Sequence, residues 1–116
     1  MANKFDVKAL REKVLNNSDV VYDSVYVKEW DVELPIRTIP TADLKKIMKH
    51  QDDQVRMAIL GVLYGCVTQE GEKVFEDTDL AKFETEKSFG PVAKLSKEIF
   101  EISGLSETAV DEAKND

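Results

Sequence analysis

The side chains able to carry covalent chemistry are few, and they are poorly placed for it. The chain has one cysteine, Cys66, and one histidine, His50. A thiol nucleophile needs a base beside it to take its proton. His50 follows Lys45, Lys46 and Lys49 on a lysine-rich stretch, whereas Cys66 falls on an apolar helical stripe. Spacing alone leaves a Cys–His pair open. The expectation is a packed cysteine, because a free thiol behaves as a small hydrophobe. One Cys and one His cannot fill a tetrahedral zinc site. Glu76, Asp77 and Asp79 lack the alternating oxygen ligands and central glycine of a calcium loop, and read as acid at a helix N-terminus. Carboxylates are frequent, 23 of 116 residues, but the aromatics fall at core-type positions and line no sugar-binding cleft. There is no glycine-rich phosphate loop. The residues point to a non-enzyme with no metal and no cofactor, one that works through its surfaces.

Composition narrows those surfaces. A hydrophobic fraction of 42% and a charged fraction of 34% describe an ordinary soluble globule. The length of 116 residues fits one domain, 1–116, with a charged end near 112–116 expected to fray. The formal charge of −7 opposes a phosphate backbone, so nucleic acid is not the expected partner. No apolar run approaches the ~18 to 20 residues of a membrane span. The N-terminus MANKFDVKAL has no apolar core of a secretory signal, and a single cysteine suits a reducing compartment.

The elements follow from periodicity and turn chemistry. Asp6 can cap a short first helix with Val7, Leu10 and Val14 on one side, expected to dock on the edge of the core. Val20 to Thr38 reads as a β-hairpin. Val32, Leu34 and Ile36 alternate with Glu33, Pro35 and Arg37, and Pro35 belongs where its missing N–H faces outward. Tyr22, Ser24 and Tyr26 share the other face of the first strand, where the tyrosines are expected to be half covered. The turn Lys28-Glu29-Trp30-Asp31 has no glycine, and Asp31 is best suited to a left-handed conformation.

Everything after Pro40 reads as helix. Thr41 is expected to cap a helix that buries Leu44, Ile47 and Met48. Asp52 or Asp53 then caps the central core helix, with Val55, Ile59, Val62, Leu63 and Cys66 at helical spacing. Gly61 and Gly65 cost that helix about 1 kcal/mol each, which calls for a close-packed neighbour. A turn at Glu70-Gly71 returns Phe75 to the core. Asp77 or Thr78 caps a short helix carrying Leu80 and Phe83. Ser88 opens the last long helix, with Pro91 in its first turn and a stripe of Val92, Leu95, Ile99 and Ile102 widened by Phe89 and Phe100. Gly104 ends it, and Ser106 can start a short further helix using Ala109, Val110 and Ala113. The fold class is α+β, a small single domain with one N-terminal β-hairpin packed on about four to five helices.

The order of these elements resembles the tail assembly chaperones of long-tailed bacteriophages and prophages, which are encoded upstream of the tape-measure protein. The residues that carry the likeness are Val27-Lys28-Glu29-Trp30-Asp31-Val32 and then Ile36-Arg37-Thr38. Val55-Arg56, the helix through Leu63, and Val67-Thr68-Gln69-Glu70-Gly71 leading to Phe75 continue it. Asp77, Asp79 and Leu80 precede Lys87-Ser88, and Ser103-Gly104-Leu105-Ser106 closes the pattern, so the likeness runs from about Phe5 to Ala113. Asp31 stands where the family often has glycine, and Phe89-Gly90-Pro91 is unusual for it.

The resemblance implies a non-catalytic factor in the host cytoplasm that is absent from the mature virion. It would bind the tape-measure protein, keep it soluble and help recruit the major tail-tube protein, with self-association open. The other reading is a structural virion component such as a head–tail connector or tail completion protein. Trp30 and Arg37 are the candidate partner-binding residues, since Trp and Arg most often anchor interfaces. Trp30 can instead fold back on the helices and pin the hairpin.

Overall fold

Twelve residues, Gln54–Gly65, form the helix on which the rest of the protein packs. The structure is a computed structural model that describes residues 4–105. In chain order it has α1 (Val7–Asn16), β1 (Tyr22–Val27), one turn of 3-10 helix (Lys28–Trp30), β2 (Val32–Arg37), α2 (Thr41–Met48), α3 (Gln54–Gly65), α4 (Asp79–Glu86) and α5 (Phe89–Ile102). This is the α+β hairpin-and-helices architecture that periodicity implies. The further helix after Ser106 and the fraying end lie outside the described residues.

Asp53 starts α3, its carboxylate accepting the Arg56 backbone N–H at 3.0 Å, so it and not Asp52 is the cap. Burial runs unbroken from Met57 to Leu63, with Val62 and Leu63 almost wholly enclosed. Val55 is 49% exposed rather than part of the buried stripe. It lies in the first turn, before the helix enters the packed region.

The glycines of α3 have the packing reason their cost demands. A Cβ on Gly65 would come within 2.6 and 2.7 Å of two Ile99 carbons, and one on Gly61 within 2.9 Å of the Phe100 ring. The bare backbone thus lets α5 approach α3 closely and lay Val92, Leu95 and Ile99 into the core. Pro91 sits buried in the first turn of α5, after the cap residue Ser88. Its stripe is narrower than expected, because Phe89 at the helix start is 45% exposed. Gly104, at φ 73°, ends α5. The N–H groups of Leu105 and Gly104 bond back to Phe100 and Glu101 carbonyls, satisfying the helix's last acceptors.

The hairpin pairs Val27 with Val32 through to Tyr22 with Arg37, antiparallel. Thr38 N–H donates to Val21 O at 3.0 Å. Donors two apart therefore point at β1, and Pro35, three residues earlier, presents its missing N–H outward. Val27, Leu34 and Ile36 are buried in the core. The opposite face is more open than expected, with Tyr26 53% and Tyr22 37% exposed. The chain around Val67 and Gln69 comes near the Tyr22 end of this face.

Two helix starts depart from expectation. Pro40, not Thr41, occupies the cap position of α2 and makes no side-chain cap bond. Its φ of −63° with extended ψ already has the cap geometry. At α4 the cap residue Thr78 also makes no side-chain bond, and the Asp79 carboxylate instead accepts the Glu76 N–H at 2.9 Å. The third departure is larger. No residue of α1 is buried, so the helix does not dock on the core edge. Asp6 does cap it, accepting the Ala9 N–H at 3.2 Å.

Candidate partner-binding surface

The residues best suited to anchor a partner sit at opposite ends of the hairpin. Trp30 closes the turn and Arg37 ends β2, with a strand of roughly 17 Å between Val32 and Arg37. Local chemistry places each. The turn coils through Lys28–Trp30 and is reversed by Asp31, whose φ of 49° and ψ of 51° put it in the left-handed region. Asp31 also accepts a hydrogen bond from the Tyr26 hydroxyl. That bond holds the phenolic proton and raises the tyrosine pKa above its ordinary value, with desolvation adding to it. Ser24 Oγ donates to Glu33 at 2.6 Å across the same face.

Trp30 is half-buried and folds back on the helices. Its ring meets Phe83 of α4 edge-on, with centroids 6.1 Å apart, and Phe83 meets Phe75 in the same way at 5.1 Å. Three aromatics thus join the hairpin turn, α4 and the loop after α3. Edge-to-face pairs of this kind contribute about 0.5–1.5 kcal/mol each beyond their buried area. Lys28 and Glu29 beside the tryptophan remain exposed.

Arg37 ties the far end of the hairpin to two helices. Its Nε donates to the Tyr64 carbonyl at 3.2 Å and its guanidinium pairs with Asp43 of α2 at 3.3 Å. Tyr64 lies in the last turn of α3, where a cation also meets the negative end of the helix dipole. Both side chains of the ion pair are only 19% exposed.

This end holds a cluster that sequence reading did not find. The Tyr64 ring lies 5.6 Å from the ammonium groups of both Lys46 and Lys73. Lys46 lies 3.9 Å from Asp43 and Lys73 lies 3.5 Å from Asp77. Burial raises the Tyr64 pKa, and the negative charges of Asp77 and Asp43 raise it further. The one available signal was Tyr64 itself, an aromatic with a polar tip at the end of the core helix. Nothing in the spacing brings Asp43, Lys73 and Asp77 to it. A second tie, Arg56 to Glu84 at 3.0 Å, holds α3 to α4.

The Cys66 thiol is not poised for covalent chemistry. Cys66 is fully enclosed, and burial pushes its pKa up to about 12. A thiol in that state is neither a nucleophile nor a metal ligand at neutral pH. Among the described residues no group of three or more His, Cys, Asp or Glu side chains is arranged to hold a metal. None of the described helices is long and apolar enough to cross a membrane.

Exposed apolar residues include a stripe on α1 and two tyrosines on the outer face of the hairpin. Val7, Leu10, Val14 and Leu15 of the helix are 47–72% exposed, and Tyr22 and Tyr26 carry the hairpin's share. The sequence shows the helical stripe, but it was expected to dock on the edge of the core. The structure leaves this stripe exposed and Trp30 and Arg37 half-buried.

No protein-family model and no curated protein matches the chain. Among solved structures it is similar to the bacteriophage HK97 tail assembly chaperone, with a TM-score of 0.65 at 12% sequence identity. The match covers 83% of this chain and 94% of that one. The protein therefore has the fold of a phage tail assembly chaperone, the architecture that the residues from Val27 onward resemble.

Proposed function

We propose that this protein is a tail assembly chaperone that binds a tape-measure protein during phage tail morphogenesis. The observation that supports it most is the fold shared over 83% of this chain and 94% of the HK97 tail assembly chaperone. The order of sequence features around Trp30, Arg37 and Gly71 supports the same reading. Its role is non-catalytic. A tape-measure protein presents long apolar helical stripes until the tail tube covers them, and an acidic domain bound along it would keep it dispersed. Recruitment of tube subunits and residence in the host cytoplasm belong to the same reading.

Within it, Trp30 and Arg37 are the partner-binding candidates. Each is half-buried, so each supports the fold with one side and offers a rim to a partner with the other. The test is co-expression with the tape-measure protein of the same phage or prophage. Soluble co-purification is expected, and Trp30→Ala should reduce it while the thermal transition stays cooperative. Mass spectrometry of purified virions should find no copies of the chain. Copies at stoichiometric levels would make it a structural component instead, and loss of folding in Trp30→Ala would make Trp30 a core pin.

A further inference from the structure

A two-stranded sheet has two free edges, and each offers backbone N–H and C=O groups to any extended chain. β1 and β2 pair with each other alone. Thr38 N–H donates to Val21 O, and the register runs on from that pair in steps of two. Asp23, Val25 and Val27 therefore turn their backbone groups towards β2, while Tyr22, Ser24 and Tyr26 turn theirs outward. On β2 the outward set is Glu33, Pro35 and Arg37.

β1 is the more open edge. Tyr22, Asp23, Ser24 and Tyr26 are all exposed, whereas Pro35 and Arg37 are half-buried. The sequence of β1 makes that openness hazardous. Val20 to Val27, VVYDSVYV, has no proline and no glycine, and Asp23 is its one charged residue. Without that charge it is a segment of high β-propensity, the kind that stacks on copies of itself.

Both edges are interrupted at the same level of the sheet. Pro35 has no N–H to give. Ser24 lies directly across from it and does have one, but the Asp23 carboxylate already accepts that N–H at 2.8 Å. This is the one hydrogen bond of the carboxylate among the described residues. Aspartate is depleted in strands, so propensity gives no reason for it inside β1. A strand arriving at this edge would have to displace the carboxylate and leave a charge desolvated beside the new ladder.

We propose that Asp23 is an edge guard, whose carboxylate occupies the Ser24 N–H and keeps β1 from pairing with β1 of a second copy. Pro35 does the same for β2 by lacking the donor altogether. The inference does not depend on the tail-assembly reading.

Three variants of the full chain test it. Asp23→Ala and Asp23→Val remove the acceptor, and valine keeps the extended backbone should alanine weaken the strand. Asp23→Asn retains an oxygen for the Ser24 N–H. In sedimentation velocity the alanine and valine variants are expected to self-associate at concentrations about tenfold or more below the wild type, the gain from a pair of new backbone hydrogen bonds. The asparagine variant should associate less readily than either. Amide hydrogen exchange locates the contact: on association the Ser24 and Tyr26 amides should slow, while that of Glu33 on the other edge should not. Alanine and valine variants that associate no more readily than the wild type overturn the proposal. So does association that leaves the Ser24 and Tyr26 amides exchanging as before, or an asparagine variant as prone to associate as the alanine one.

Discussion

α1 and α3 are capped in the same way and differ in nearly everything else. Each begins with an aspartate accepting an N–H three residues on, from Asp6 to Ala9 and from Asp53 to Arg56. Each carries apolar residues at helical spacing. Yet α3 buries eight of its residues and α1 buries none. The difference lies in what the opposite face holds. α3 is apolar nearly all round, with glycines where α5 comes closest, and this composition demands neighbours on several sides. α1 has one narrow stripe between basic flanks, which a single partner could cover and which water tolerates in its absence. A hydrophobic stripe reports that a face is to be covered; the breadth of the apolar arc indicates how many sides the fold itself covers.

The widest measurable gap between the two helices is in thiol reactivity. Cys66, at the C-terminal end of α3, has its pKa pushed up to about 12. At pH 8 a thiol of ordinary pKa carries roughly a thousandfold more thiolate. Reaction of native protein with a thiol reagent should therefore be slower by about that factor than reaction of a Cys66→Ala, Val14→Cys variant, whose thiol sits on the open stripe. The sign for stability follows from the same shift. The folded state holds its proton to higher pH than the unfolded state, so the full contribution is present below pH 9, the ordinary value for a free thiol, and is lost as pH rises towards 12. Equal labelling rates for the two thiols would mean that the end of α3 opens freely and that the contrast is false.

Truncation in the two helices should separate next. Leu63 is 1% exposed and lies in the central cluster. Leu63→Ala should destabilise the protein by about 2–5 kcal/mol in urea unfolding. Leu10→Ala should change stability by no more than about 0.5 kcal/mol, measured at low protein concentration where association contributes little. A large effect from Leu10 would place α1 against the core after all.

How much of this was legible in the sequence follows the same division. The hairpin, its left-handed Asp31, the outward Pro35, the core helix and the glycine-lined contact are all fixed by local or periodic rules. Each rule also has a direct energetic penalty for violation, so the residues at those positions carry the signal. The fate of α1 was not legible, because a stripe does not say where its cover comes from. The exposed Tyr22 and Tyr26 misled for a related reason, as aromatic mass suggests burial but a two-stranded sheet has only one face to give to the helices. The Tyr64 cluster joins residues from α2, the end of α3 and the loop beyond it, and no local rule links them. Of the candidate site, the sequence distinguished Trp30 and Arg37 by type, while their contacts with Phe83, Asp43 and the Tyr64 carbonyl depend on tertiary packing.

The glycine contact sharpens the α3 side of the comparison. Replacing Gly65 by alanine gains helix propensity of about 1 kcal/mol, but its Cβ would press on Ile99, which is wholly buried and cannot yield. Overpacking of this kind costs about 1–3 kcal/mol, so a net destabilisation of roughly 1 kcal/mol is expected. Gly61→Ala should be milder, because the Cβ meets the far edge of the half-buried Phe100 ring. Chemical denaturation of both variants, and of Gly65→Ala combined with Ile99→Val, decides it. The double variant should recover part of the loss if the clash is the cause.

The smallest effect is expected at the cap of α1, and it is the most discriminating for that helix. Asp6→Ala removes the acceptor of the Ala9 N–H, a change worth about 0.5–2 kcal/mol to a helix. Where a helix is packed on the core, that loss passes into global stability, as Asp53→Ala should show for α3. α1 buries nothing in its own chain, so the loss should stay local. The midpoint of global unfolding should be unchanged for Asp6→Ala, while amide hydrogen exchange within Val7–Asn16 should quicken. Exchange in α1 that tracks global unfolding in both variants would show that the two helices belong to one cooperative unit.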